Sequence, residues 1–234
     1  MGALIDIASA ILTEATRRVE INAQNVANIP TAGYKRRIAF TDVLAEQQVN
    51  TAQDSRVGFI SDFSEGKLLE TGNPFDFAIS GRGFFVVRSD NQTFYTRQGN
   101  FRREADGRLV TFDGLELQAQ GGGAIVLRSD AFEVAADGMV LEDGQPVAKL
   151  ALVDVADRSL LRDAEGGLFT APAADPVQSG AVRVRQGVLE ASNVSTGDEM
   201  VAMMEALRRA EAGQRLVNVY DDLMGRALSS FGQT

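Results

Sequence analysis

Seven-residue repeats at the two ends of the chain constrain its fold more than any other feature. At the C-terminal end the repeat runs through Met200, Leu207, Gln214, Asp221 and Leu228, and three places later through Met203, Ala210, Val217 and Met224. This is the a/d spacing of a helix that lies along other helices. Polar Gln214 and Asp221 at a-type positions lower the stability of such a seam and favour one register. The pattern predicts a long C-terminal helix with specific helical partners.

A second repeat with the same spacing lies near the N-terminus. It runs through Ile5, Leu12, Val19 and Val26. Ala8 and Ala15 fall three places after the first two, so a facing helix could approach closely there. Pro30 disfavours helical geometry in the residue before it, which predicts a helix end by Ile29. One seam alone would fit an ordinary amphipathic core helix, whereas two matching seams favour a pair of terminal helices.

The region between the seams has the pattern of an antiparallel β unit. Apolar and β-branched runs at 84–87, 93–96, 109–111, 125–127 and 147–155 are separated by Asp-Gly pairs at 106–107, 113–114, 137–138 and 143–144. Short strands joined by Asp-Gly turns are typical of antiparallel sheets. Residues 34–74 lack this pattern. Their composition predicts an extended connector with low order around 47–58 and one helical turn at 42–48.

These patterns together predict a mixed α and β fold in four parts. Residues 1–33 and 193–234 are the N- and C-terminal helices, which pair as a coiled-coil arm. Residues 34–74 form the connector, and residues 75–192 form a central antiparallel all-β domain. The architecture expected from the sequence is therefore helix, connector, β domain, helix.

Composition excludes several classes of function. The 234 residues contain no Cys, His or Trp, so disulfides, thiolate or imidazole metal sites and a His-based triad are ruled out. A net charge of -9 with scattered arginines argues against a nucleic-acid partner. The short N-terminal apolar segment contains Asp6 and lacks a basic region before it, so no cleaved Sec signal is expected. Nothing is long and apolar enough to span a membrane.

Two short patterns that also occur in enzymes are better explained as turns. Gly81-Arg82-Gly83 resembles the start of a dinucleotide fingerprint but lacks the third glycine and a following helix. Residues 64–67 match S-x-x-K without any partner motif for acyl transfer. We therefore expect no catalytic residues, no cofactor, no metal and no small-molecule substrate.

Four separated segments resemble the signatures of the flagellar rod and hook family. Residues 24–35 (QNVANIPTAGYK) are similar to N-N-L-A-N-x-x-T-x-G-Y/F-K, with Gln24 in place of the first Asn and Val26 in place of Leu. The β region opens with FDFAI at 75–79 and GFFVV at 83–87. Residues 95–101 (YTRQGNF) resemble Y-T-R-x-G-x-F, and residues 187–194 (GVLEASNV) resemble G-x-L-E-x-S-N-V. The four segments occur in the family's order and cover nearly the whole chain.

The resemblance implies a structural subunit of the basal-body rod, most similar to proximal-rod members of the family. It implies export by the flagellar type III apparatus without a cleaved signal, and assembly in the periplasm with copies of itself and other axial proteins. The terminal helices would pair in an inner tube, and the rod would transmit motor torque. A distal-rod or hook paralogue, or a secreted periplasmic binding module, are the alternatives.

Two sets of residues follow as candidates for function. The candidates for subunit assembly through the terminal helices are Ile5, Leu12, Val19, Val26, Met200, Met203, Leu207, Val217 and Met224. The second set is Asn25, Asn28 and Gly33, which we expect to shape the end of the first helix rather than to bind a small molecule. The terminal helix of the family usually carries an aromatic residue where this chain has Ala210, so its packing contacts are expected to differ.

Overall fold

The structure, a computed structural model, divides the chain into two compact units. It describes residues 2–39, 59–89, 92–164, 166–172, 174–176 and 182–231. The first unit comprises Met1–Ala27, Arg37–Ile60 and Val194–Thr234, and the second comprises Asn28–Arg36 and Ser61–Asn193. The predicted helical turn at 42–48 and the low-order stretch at 47–58 lie outside the described residues. The predicted fold class, two pairing terminal helices and a central antiparallel β region, is confirmed.

The first unit is built on two long helices that pack against each other. Helix α1 spans Gly2–Ala27 and helix α2 spans Thr196–Phe231. A short two-stranded sheet pairs β1 (Arg37–Ala39) with β2 (Phe59–Ser61). These strands fall inside the segment that the sequence predicted to be an extended connector, so its two described ends contain paired structure.

The end of α1 and the start of α2 each have a local cause in the sequence. Helix α1 ends three residues before Pro30, as predicted. Helix α2 starts directly after Ser195, whose carbonyl oxygen accepts the first backbone hydrogen bond from the Glu199 amide at 3.0 Å. Asp198 and Glu199 place negative charge in the first turn, at the positive end of the helix dipole.

The second unit is an assembly of short antiparallel strands. They are β3 (Leu68–Glu70), β4 (Phe77–Ser80), β5 (Phe84–Ser89), β6 (Gln92–Thr96), β7 (Phe101–Arg103), β8 (Leu109–Thr111), β9 (Glu116–Leu117), β10 (Phe132–Val134), β11 (Met139–Glu142), β12 (Gln145–Lys149), β13 (Leu152–Asp154), β14 (Arg162–Asp163), β15 (Leu168–Thr170), β16 (Asp175–Pro176), β17 (Arg183–Gln186) and β18 (Val188–Glu190). A 3-10 turn, Arg158–Leu160, lies between β13 and β14.

The strands form one large sheet and three small ones. The large sheet has the order β14-β15-β6-β5-β9-β8-β7, and β13 pairs with both β5 and β16. The small sheets are β10-β11-β12, β17-β4 and β18-β3. Every pairing within the second unit is antiparallel. Strands β17 and β18, which come late in the sequence, therefore pair with β4 and β3, which come early.

The predicted Asp-Gly turns are confirmed, and two predicted strands differ from the structure. Glycine takes a positive φ in all four turns, and at Asp143-Gly144 both residues do, at 50° and 74°. This geometry joins β11 to β12 directly and matches the twist of a hairpin. Residues 125–127 make only isolated bridges, and residues 147–155 split between β12 and β13 because Leu150 bridges to Ala119 of the neighbouring chain segment.

Four phenylalanines pack with aliphatic side chains in the core of the second unit. Phe77, Phe85, Phe101 and Phe132 are buried with the aliphatic side chains of the large sheet and of β10–β12. The Phe77 ring centroid lies 5.7 Å from that of Phe101 and 6.2 Å from that of Phe132. Full burial of such a side chain contributes about 1.5–3 kcal/mol. The second unit therefore has a core of its own.

Candidate functional site

The contact between α1 and α2 is made by small residues. Ala8 and Ala15 on α1 are almost fully buried, as are Ala206 and Gly213 on α2. A Cβ atom placed on Gly213 would lie 3.4 Å from Cγ2 of Ile11 and 3.5 Å from the carbonyl oxygen of Ala8. The two backbones therefore approach closely at this point. This agrees with the small residues that the sequence places at Ala8 and Ala15.

The buried face of α2 lies one residue before the predicted a positions. Those predicted a positions are exposed in the structure: Met200, Leu207, Gln214 and Asp221. The buried residues at seven-residue intervals are instead Glu199, Ala206 and Gly213. The predicted a positions therefore do not form the contact with α1, and the assignment of Met200 and Leu207 to subunit assembly stays a prediction. The hydropathy pattern followed the large apolar residues. The closest approach of two helices needs small ones, which a hydropathy pattern does not distinguish.

The other predicted seam positions lie beside the small-residue contact. They are half-buried in the structure: Ile5, Leu12, Val19, Val26, Met203, Val217 and Met224. The d positions of α2 thus flank the contact with α1.

Helix α2 carries large apolar side chains on surface that remains exposed to solvent. We call the following seven residues the exposed apolar set: Met200, Val201, Met204, Leu207, Leu216, Val219 and Leu223. Each is 48–57% exposed. At 3.6 residues per turn, they lie on sides of the helix that face away from Ala206 and Gly213. Large apolar side chains exposed on one helix are candidates for a protein interaction site.

A buried polar cluster joins three segments of the first unit. Asn25, in the last turns of α1, donates from Nδ2 to Oε2 of Glu199 at 3.0 Å and to the carbonyl oxygen of Arg37 at 2.8 Å. Its Oδ1 accepts the backbone N–H of Arg37 at 2.9 Å. Asn25 and Glu199 are both fully buried. Asn25 therefore connects the end of α1 to the start of β1 and to the first turn of α2.

The other two residues of the helix-end set lie in the turn after α1. Oδ1 of Asn28 accepts a hydrogen bond from the Thr31 hydroxyl at 3.2 Å. Gly33 has a φ of 67°, and a Cβ atom there would lie 2.3 Å from the backbone carbonyl of Arg97. Only glycine fits this position, because both the backbone conformation and the contact exclude a side chain.

A second buried polar cluster lies in the second unit and is centred on Glu190. The Glu190 carboxylate is 1% exposed. It accepts hydrogen bonds from Nζ of Lys35 at 2.6 Å, from the backbone N–H of Gly66 at 2.9 Å and from Nη1 of Arg97 at 3.1 Å. Lys35 and Arg97 are themselves buried, so one carboxylate lies between two buried cations.

Burial determines the protonation behaviour of Lys35. Loss of solvent lowers its pKa, and the nearby positive charge of Arg97 acts in the same direction. The attraction of Glu190 opposes this shift without overcoming it. The cluster holds two cations and only one anion, which is consistent with the lowered pKa of Lys35.

Asn193 extends the cluster to the last residues before α2. Its Oδ1 accepts the backbone N–H of Arg36 at 2.7 Å. Its Nδ2 donates to the carbonyl oxygen of Asp62 at 2.8 Å and to the hydroxyl of Ser64 at 3.0 Å. Nζ of Lys35 also donates to the Ser64 carbonyl oxygen at 2.7 Å. We call the five residues whose side chains or carbonyls meet here the polar junction: Lys35, Ser64, Arg97, Glu190 and Asn193.

The sequence contains the polar junction without revealing it. Lys35 belongs to the segment 24–35, Arg97 to 95–101, and Glu190 and Asn193 to 187–194. These segments are far apart in the sequence, and no local pattern predicts that they meet. The signal was present in the charged residues of opposite sign that interrupt otherwise apolar or small-residue segments.

The described part of the chain shows neither a membrane-spanning helix nor a metal-binding cluster. None of its helices combines the length and apolarity needed to cross a bilayer. Nowhere in those residues do three or more acidic side chains come together as ligands for an ion.

Comparison with known proteins identifies the family. Residues 78–148 match the family described as flagellar hook protein FlgE/F/G D1 domain, and residues 185–230 match flagellar basal body rod FlgEFG protein C-terminal. The chain is 31% identical to the flagellar basal-body rod protein FlgF of Caulobacter vibrioides, over 93% of each chain. It is 30% identical to FlgF of Mesorhizobium japonicum over 92% of each chain, and 26% identical to the rod protein FlgG of Bacillus subtilis over 88% and 90%. The chain therefore belongs to the FlgE/F/G family of flagellar rod and hook proteins.

Proposed function

We propose that this chain is a structural subunit of the flagellar basal-body rod, of the FlgF type found in the proximal rod. It polymerises through its terminal helices with copies of itself and with other axial proteins. The rod it forms transmits torque, and the chain has no catalytic role. The exposed apolar set on α2 is the observation that carries this proposal.

The exposed apolar set provides the driving force for assembly. Seven large apolar side chains are each about half exposed. Burying the remaining half of one such side chain contributes roughly 0.7–1.5 kcal/mol, half of the value for full burial. Their different positions around α2 allow neighbours to pack on more than one side of the helix. Repetition of one such interface without closure gives an open helical array, which is the geometry of a rod.

The nine predicted assembly residues divide between two roles in this proposal. Met200 and Leu207 are exposed and would contact neighbouring subunits. The remaining seven are half-buried and would support the α1–α2 pair while contributing their free surface to neighbours: Ile5, Leu12, Val19, Val26, Met203, Val217 and Met224.

The family membership supports the rest of the proposal. The relatives at 30% and 31% identity are named basal-body rod proteins FlgF, and FlgG follows at lower identity. We infer export by the flagellar type III apparatus and a periplasmic location in the basal body. A chain without cysteine suits this route, because no disulfide can form before assembly.

The test is the substitution Leu207→Asp in a strain that lacks the native gene. Leu207 is 48% exposed, so the purified variant should keep its helical content and its folded β unit. The added charge should block packing of a neighbour, and cells should not swim in soft agar. The matched control is Asn218→Asp, which adds the same charge to an exposed position of α2 and removes no apolar surface.

Export must be measured in the same strains. Immunoblotting of the periplasmic fraction should show equal amounts of the Leu207→Asp variant and of the control. Normal swimming of the Leu207→Asp strain would contradict the assembly role of the exposed apolar set.

A further inference from the structure

The polar junction lies where the second unit is connected to the rest of the chain. The chain passes between the two units after residues 27, 36, 60 and 193. Lys35 and Arg36 directly precede one of these crossings, residues 61–66 follow the next, and Asn193 precedes the last. All of these residues belong to the second unit. Three of the four crossings are therefore adjacent to the polar junction.

Backbone hydrogen bonds tie the same segments together. The Asp62 amide donates to the Arg36 carbonyl oxygen at 2.8 Å, and the Gly33 amide donates to the Glu190 carbonyl oxygen at 2.7 Å. The Asn193 side chain then bonds to both Arg36 and Asp62. Each crossing segment is thus hydrogen bonded to the other two.

The chemistry of these contacts differs from that of the core. Apolar contacts are non-directional and depend mainly on buried area. Hydrogen bonds weaken steeply when the donor, hydrogen and acceptor leave alignment, and buried charge pairs depend strongly on distance. A joint built from such bonds resists small displacements in every direction. Glu190 is central to it because it accepts bonds from Lys35, Gly66 and Arg97.

We propose that the polar junction is the mechanical joint through which torque enters and leaves the second unit, with Glu190 as its positioning residue. This inference rests on the proposed function, because torque is transmitted only in an assembled rod. The joint makes the three crossing segments move as one body, so that load on one segment is shared by the other two.

The first part of the test uses hydrogen exchange on the purified full-length chain and does not depend on the rod function. The substitution Glu190→Gln keeps the shape of the side chain and removes the charge that holds Lys35 and Arg97. The amides of Gly33, Asp62 and Gly66 should exchange about tenfold faster or more, because local opening then costs less free energy. Amides of β5 and β6 should be unchanged.

Glu142→Gln is the matched control. Glu142 is a second buried carboxylate of the same unit, and its Oε1 accepts the Arg128 and Ser129 amides at 2.7 and 3.0 Å. Neither Arg128 nor Ser129 belongs to the polar junction, so exchange at Gly33, Asp62 and Gly66 should stay at the wild-type rate. Equal exchange in the Glu190→Gln and control proteins would overturn the proposed joint.

The second part of the test measures swimming speed against viscosity. Glu190→Gln cells should assemble rods and swim in dilute medium, then lose speed more steeply than control cells as viscosity rises. A purely structural role would lower the number of assembled rods without changing the load dependence of those that remain. Equal load dependence would therefore overturn the proposal.

A second variant keeps the proposal testable if Glu190→Gln fails to fold. Asn193→Ala removes the bonds to Arg36 and Asp62 and leaves the buried charges paired. It should accelerate exchange of the Asp62 amide. The swimming speed of cells with this variant should also fall more steeply with viscosity than that of control cells. If wild-type protein itself does not restore swimming to the deletion strain, the proposed function fails while the exchange result still stands.

Discussion

Substitution of Gly213 tests the contact between the two helices. Both Gly213 and Gly225 lie inside α2, but only Gly213 is buried against α1. Nothing lies within 4 Å of a Cβ atom placed on Gly225. Replacing each glycine by leucine therefore changes helix propensity equally and changes packing at one position only. Gly225→Leu is the control for Gly213→Leu.

The structure gives the expected size of the effect. Glycine in a helix interior costs about 0.8–1 kcal/mol relative to alanine, and leucine removes most of that cost at either site. A Cβ atom at Gly213 would sit at ordinary contact distance, 3.4–3.5 Å, from Ile11, Ala8 and Leu12. The further atoms of leucine have no room there, and overpacking costs about 1–3 kcal/mol. Gly213→Leu should thus be less stable than Gly225→Leu by about 1–3 kcal/mol.

The assay is hydrogen exchange of α2 amides in the full-length chain, which reports the free energy of local opening. Gly213→Ala should match or exceed wild type, because its Cβ fits without displacement. Equal protection in Gly213→Leu and Gly225→Leu would refute the contact. It would instead support a face built on Leu207 and Gln214, as the sequence pattern predicted.

Two further predictions concern the second unit. Gly33→Ala should lower the free energy of unfolding by several kcal/mol more than Gly72→Ala, because both glycines have a positive φ but only at Gly33 would the added Cβ atom clash with the Arg97 backbone. Equal losses in urea unfolding would contradict that contact. The lowered pKa of Lys35 means that the unfolded chain binds more protons between this pKa and 10.5, so the free energy of unfolding should rise with pH there. Lys35→Met should lack this rise in urea unfolding as pH increases towards 10.5, and parallel pH profiles of the two proteins would refute it.

The turns and the end of α1 could be predicted from local sequence patterns. Asp-Gly pairs predicted turns because few residues other than glycine accept a positive φ, and the four turns form where expected. Helix α1 ended before Pro30 for an equally local reason. Such features need no knowledge of distant contacts, so they can be predicted from the sequence.

The face of α2 that packs on α1 could not be predicted in the same way. Ala206 and Gly213 have little hydropathy signal, whereas Met200 and Leu207 have a strong one. The pattern therefore followed the large residues, which are exposed in this chain. Distinguishing a face for a neighbour in the same chain from a face for another subunit requires the structure of the pair.

The polar junction depends on long-range contacts, which a single sequence does not specify. Lys35 and Glu190 are separated by 155 residues, and Arg97 and Glu190 by 93. The signatures indicated the family, but no local rule indicated that these three side chains share one buried site. For the same reason Asn25 was assigned to the helix end without its partner Glu199.

The most direct test of the account is the accessibility of the exposed apolar set in the assembled rod. The chain contains no cysteine, so Met204→Cys introduces a unique thiol at a position that is 52% exposed in the isolated subunit. The thiol should react rapidly with a maleimide in the purified subunit and in denatured basal bodies. It should be protected in intact basal bodies from swimming cells, because a neighbouring subunit covers α2. Equal reactivity in intact basal bodies and in the free subunit would contradict assembly through the exposed apolar set.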